Sequence, residues 1–152
     1  MVTALVPATT RTPALIAASG DRAAYRFLEF FTAHIRNPNT RRAYAGAVGG
    51  FCRWAEAHGV RSIDTVSSVH VAAWVEQLGR EVSPPTVKQH LAAVRMMFDW
   101  LATGGVLPFN PATAVRGPKH SVKKGKTPVL VPEEARALLD AIDTTTPVGL
   151  RD

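Results

Sequence analysis

Apolar side chains recur every three or four positions along most of residues 19–107, a helical period rather than an extended one. Ala24, Phe27, Leu28, Phe31 and Ile35 form a first stripe behind a start at Ser19 or Asp21. Asn37-Pro38 opens a second, with Tyr44, Ala47, Val48, Phe51, Trp54 and Ala55 on one face and Gly59 placed to end it. Ser67 or Ser68 caps a third, carrying Val71, Trp74, Val75 and Leu78 and closed by Gly79. Ser83-Pro84 opens a fourth, with Val87, Leu91, Val94, Phe98 and Leu101 inward and Gly104 at its end. No segment between them alternates with period two for long enough to make a strand, so the expected fold is all-α, a compact four-helix bundle. Pro108-Phe109-Asn110-Pro111 predicts a turn, and no helix is expected before residue 128. Pro132-Glu133-Glu134 then starts a short fifth helix with Leu138, Leu139 and Ile142 along one face and its acids where the helix dipole favours them.

The second and fourth helices repeat each other at an offset of 46 residues. Asn37-Pro38, Thr40 and Arg42 correspond to Ser83-Pro84, Thr86 and Lys88, and Val48, Trp54, Gly59 and Val60 to Val94, Trp100, Gly105 and Val106. Cap, proline, tryptophan and glycine are ordinary helix grammar; the Thr and cation pairs are not required by it. A helix start already presents unpaired N–H groups and a positive dipole end, and a hydroxyl and a cation added there suit a phosphate.

Charge sharpens this reading. Residues 19–128 carry fifteen cations against seven anions, whereas residues 129–152 carry two against five. A basic body joined to an acidic end predicts two modules, the first facing a polyanion such as nucleic acid. From Arg116 to Lys126 there are five cations, Arg116, Lys119, Lys123, Lys124 and Lys126, and no acid, the composition of an extended linker. The expected organisation is a loose leader over 1–18, a DNA-binding domain over 19–115, a basic linker over 116–128 and the truncated start of another domain over 129–152. The single cysteine, Cys52, fits a reducing, cytoplasmic compartment, and no apolar run approaches the roughly 20 residues of a membrane span. Residues 1–18 lack the charged start and unbroken apolar centre of a signal peptide.

Candidate contacts follow from position. Thr40, Arg41, Arg42, Arg53, Thr86, Lys88, Gln89 and Arg95 are expected to meet DNA, with Lys119, Lys123, Lys124 and Lys126 on its backbone. Arg42, Lys88 and Gln89 are the ones placed to read base edges. Arg42, Gly46, Gly49 and Arg53 share the outer face of the second helix, and glycine inside a helix costs about 0.8–1 kcal/mol relative to alanine. Such a bare strip suits a large anionic partner; close packing against another helix is the alternative. Met96, Met97 and Trp100 are assigned to the core rather than to base stacking, and His90, equivalent to Tyr44, is a lesser candidate for contact. The histidines are scattered away from metal-ligand spacing, and no phosphate loop or nucleophile elbow occurs. No cofactor and no chemistry by this chain alone are expected. Two other functions stay open, a helical protein-interaction adapter using the Gly46/Gly49 face and a DNA-binding regulator that never cuts.

The order Asn37-x-x-Thr40-Arg41-x-x-Tyr44, Phe51-x-x-Trp54, Ser83-x-x-Thr86 and Leu91-x-x-Val94-Arg95-x-x-Phe98, followed by Gly105-Val106, Asn110-Pro111 and a basic linker, resembles a known pattern. It is similar to the N-terminal core-binding, SAM-like domain of phage-integrase and Xer-type tyrosine recombinases. Pro132-Glu133-Glu134-Ala135-Arg136-Ala137-Leu138-Leu139 and Gly149-Leu150-Arg151-Asp152 resemble the opening of that family's catalytic domain, except that Val131 stands where a capping Ser or Thr is frequent. The resemblance implies a SAM-like four-helix fold whose second and fourth helices cross the major groove of duplex DNA. It also implies a clamp completed by a catalytic domain beyond Asp152, and further recombinase protomers in a synaptic complex. Tyr25 and Tyr44 lie in the wrong module to be the family's nucleophile, and Arg151 is not promoted to a catalytic arginine.

Overall fold

Proline at a first helical position gives up an N–H that had no helical partner, and here it opens two helices of identical length. These are α3, Pro38–Ala57, and α5, Pro84–Thr103. Asn37 Oδ1 accepts the N–H groups of Asn39 and Thr40 at 2.9 and 3.3 Å, so the first turn of α3 is capped by side chain. Both helices close alike. Gly59 and Gly105 take φ of +83° and +69°, and beyond them Val60 and Val106 donate to the carbonyls of Ala55 at 3.0 Å and Leu101 at 2.9 Å. Such closures satisfy carbonyls that the helix would otherwise leave open. The repeat read in the sequence therefore holds at both closures, whereas at the starts only the proline is shared, since Ser83 makes no side-chain cap bond.

The computed structural model describes residues 11–121, 129–142 and 145. Around the long pair lie α1 (Ala14–Ala17), α2 (Asp21–Glu29) and α4 (Ser68–Glu81), with a 3-10 turn at Ile63–Thr65 before α4. No strand occurs among the described residues, and the expected all-α class holds. α5 is central, packed on α2, α3 and α4. Phe51 of α3 sits edge-to-face with Phe98 of α5 at 5.7 Å and with Trp74 of α4 at 5.2 Å. Met97 is fully buried, Trp100 is half-buried against the core, and Met96 reaches the surface.

Four boundaries differ from expectation, each for a physical reason. The leader is not loose up to residue 18: Leu15 and Ile16 are fully buried, and the Leu15 N–H donates to Glu56 Oε1 of α3 at 2.9 Å. The first long helix is capped by neither Ser19 nor Asp21. Gly20 stands at its cap, Asp21 is its first residue, and Ser19 Oγ donates instead to Asp64 Oδ1 at 2.6 Å. Past Glu29 the helix widens into a π-helical stretch, Phe30–His34, where the Ile35 N–H bonds the Phe30 carbonyl. The wider turn lets Phe30 join Phe27, Phe31 and Ile35 in the core. Finally, α4 continues past Gly79 to Glu81, because nothing at Gly79 requires a stop.

The bundle and the residues up to His120 form one compact unit, and Ser121–Asp152 form another. The second contains α6, Pro132–Asp140, beginning where the sequence placed the fifth helix. Val131 has no capping hydroxyl, and Glu134 Oε2 reaches back to accept the Val131 N–H at 3.1 Å. Leu138 and Leu139 are exposed.

Candidate nucleic-acid interface

α3 presents its first turn and outer face with little obstruction. Thr40 and Arg42 are exposed, and neither side chain has a partner among the described residues. Gly46 is open, with no atom within 4 Å of where a Cβ would stand. Gly49 is different: a Cβ there would meet Arg53 Nη1 at 3.2 Å, so the Arg53 guanidinium lies back over the glycine. Arg41 turns inward. Half-buried, it donates through Nε and Nη2 to the Ile35 carbonyl at 3.1 and 2.8 Å, tying the end of the π-helical stretch to the start of α3.

On α5, Thr86 Oγ1 and Ser83 Oγ are 3.0 Å apart, so the two hydroxyls bond each other and Ser83 caps no backbone N–H. Lys88 and Gln89 are exposed. Arg95, expected to meet DNA, is half-buried and donates to the carbonyls of Ala112 and Val115, while Asn110 Nδ2 donates to its own carbonyl at 3.0 Å. These bonds fasten the segment after α5 along its parent helix. From there the chain runs back toward the start of α5. A Cβ on Gly117 would touch Leu91 Cδ2 and Lys88 Cγ at 3.5 Å, and Lys88 Nζ lies 3.5 Å from the His120 carbonyl. Arg116 and Lys119 are exposed on this segment. The structure thus gathers Lys88, Arg116 and Lys119 at one end of α5. Arg116 joins this candidate cluster, and its place in the cation run was the only sequence signal for it. Lys123, Lys124 and Lys126 lie outside the described residues, as does Arg151.

Burial perturbs two ionisable groups of the bundle. Burial pushes the Cys52 thiol up to about 12, helped by the charge of Glu56 and opposed by Arg53; it is a small apolar residue here. Burial also lowers the His90 imidazole below its ordinary value of 6.5. The shift favours the neutral imidazole. No group of three or more His, Cys, Asp or Glu able to hold a metal occurs among the described residues, and none of the described helices is long and apolar enough to cross a membrane.

A groove of about 780 Å³ adjoins this cluster, between Val69, Ala72 and Gly79 of α4 and Val115, Arg116 and Pro118. It is the feature that could receive a protein helix, in place of the Gly46/Gly49 face, where Arg53 covers half the strip.

Residues 25–105 match the family described as phage integrase, N-terminal SAM-like domain. Among curated proteins, the chain is 30% identical over 115 residues to the tyrosine recombinase XerC of Xylella fastidiosa (strain M23), covering 75% of this chain and 38% of that protein. It is 29% identical over 130 residues to the XerC of Myxococcus xanthus, covering 82% and 43% respectively. To the tyrosine recombinase XerD of Listeria monocytogenes serovar 1/2a it is 34% identical over 80 residues, covering 53% and 26%. The matched region is thus well under half the length of these relatives. No solved structure matches.

Proposed function

The chain belongs to the family of phage integrase N-terminal SAM-like domains, and we propose that it is the core-binding domain of a tyrosine-type site-specific recombinase. In this reading it grips duplex DNA at the recombination site, inside the cell, while breaking and rejoining are performed by a catalytic domain beyond Asp152 and by further protomers. The observation that carries it is the pair of Pro-led helix starts, each with a cation, Arg42 or Lys88, exposed and without an acidic partner among the described residues.

The roles divide by environment. The hydroxyls of Thr40 and Thr86 and the positive dipole ends of the two helices receive phosphates; in the first turn of α3 the N–H groups of Asn39 and Thr40 are already taken by Asn37 Oδ1. Arg42, Lys88 and Gln89 reach base edges. Arg53, Arg116 and Lys119, with Lys123, Lys124 and Lys126, neutralise the backbone. Arg41 and Arg95, occupied by internal carbonyls, position the contacting elements. Each phosphate neutralised adds about one unit to the log–log slope of affinity against salt.

Fluorescence anisotropy of a labelled duplex, titrated at several salt concentrations, tests this. Affinity should fall steeply with salt, and reversing charge at Arg42 and Lys88 together should weaken binding; a flat salt response, or unchanged affinity in that variant, rejects the proposal. The groove on α4 favours a second reading, a protein-interaction module, which predicts self-association insensitive to salt and to DNA.

A further inference from the structure

We infer that residues 11–13, immediately before α1, are an arm of the DNA-binding surface, with Arg11 and Thr12 joining Arg53 to seat a backbone phosphate beside the outer face of α3. The inference rests on the DNA-binding reading above and adds a site to it.

The arm is held in place. Leu15 and Ile16 are fully buried, the Leu15 N–H is bonded to Glu56 Oε1, and Ser19 Oγ is bonded to Asp64 Oδ1. Two residues ahead of Pro13, the exposed Arg11 therefore lies against the later half of α3. Arg11 and Thr12 share a notch of about 250 Å³ with Arg53, Gly49 and Glu56, over a floor that includes Phe27 and Phe31. That volume is below the roughly 300–1,000 Å³ of small-molecule pockets, and two guanidinium-bearing residues and a hydroxyl at its rim suit one oxyanion. Gly49 belongs to the same design, since Arg53 folds over it toward the notch. Glu56 is the one acid on the rim, and one of its oxygens is taken up by the Leu15 N–H.

Geometry makes the addition useful. Eleven residues of helix separate Arg42 from Arg53, about 16 Å along the axis. The major groove is about 12 Å wide, so cations at the two ends of this face can reach the two strands that border it. The arm doubles the positive charge at the far end.

The test uses the whole chain and a labelled duplex, with four variants compared across salt. Arg11→Ala should weaken binding at low salt and lower the log–log slope by about one unit, with the melting temperature unchanged because Arg11 is exposed. Glu56→Gln keeps an acceptor for Leu15 and removes the repelling charge; it should tighten binding by roughly two- to fivefold at low salt. A merely structural Glu56 would not move affinity in that direction. Arg11→Ala without effect, or Glu56→Gln without tightening, overturns the arm provided that charge reversal at Arg42 and Lys88 still weakens binding. If that reversal and Arg11→Ala are both silent, the DNA-binding reading itself fails. A duplex response to Arg11→Lys close to that of the unchanged chain supports a charge contact.

Discussion

Gly104→Ala is expected to destabilise the bundle through Arg26. Gly104 has φ −78° and ψ 2°, which any residue adopts, so the cost is not conformational. A Cβ there would stand 2.1 Å from Arg26 Nε and 2.7 Å from its Cζ, and the guanidinium must move. In place, it lies 4.3 Å from the Trp100 ring centroid, donates to the Trp100 carbonyl at 3.1 Å and pairs with Glu29. A cation over a half-desolvated indole is worth about 1 kcal/mol, and a hydrogen bond from a charged donor about 1.5–3 kcal/mol. Against this, alanine gains up to about 1 kcal/mol over glycine near a helix end. The net loss is about 2 kcal/mol, or a fall in melting temperature of roughly 8–16 °C for a domain of this size. Circular dichroism melts of a double-mutant cycle with Arg26→Ala decide the mechanism. Once Arg26 is removed, Gly104→Ala should be neutral or slightly stabilising. Gly105→Ala is the control, since its φ of +69° is strained whatever Arg26 does. An equal cost of Gly104→Ala in both backgrounds would refute the steric argument.

Arg95→Ala should cost about 2–4 kcal/mol in urea unfolding, because it strips the partners from two carbonyls, while Arg42→Ala should stay within about 0.5 kcal/mol; equal unfolding midpoints for the two would show that Arg95 fastens nothing. His90 gives a pH dependence of definite sign: its folded pKa lies below 6.5, so the unfolded chain binds the proton first, and this contribution to stability is full above 6.5 and shrinks as pH falls through that value. Denaturant midpoints at pH 7.5 and 5 should therefore drop further for the unchanged chain than for His90→Gln, and parallel curves would exclude the effect.

What the sequence determined by itself is the grammar that operates within a turn or two. Asn37-Pro38 and Ser83-Pro84 start helices, Gly59 and Gly105 supply the left-handed residue that ends them, and the apolar stripes mark which faces turn inward. Each depends on dihedral preferences and on partners a few residues away, so the four-helix order and the twin helix starts were legible. The site was legible only in outline. Arg41, Arg42, Arg53 and Arg95 are equivalent as cations on helices; the structure separates them because the carbonyls of Ile35, Ala112 and Val115 arrive beside two of them and not the others. Leu15 and Ile16, too few to show a period, dock only because α2 and α3 create a surface for them, and the π-helical widening at Phe30 answers to core volume. A long, flexible side chain takes its partner from whatever the fold delivers within reach, and residues far apart in sequence are delivered only by packing.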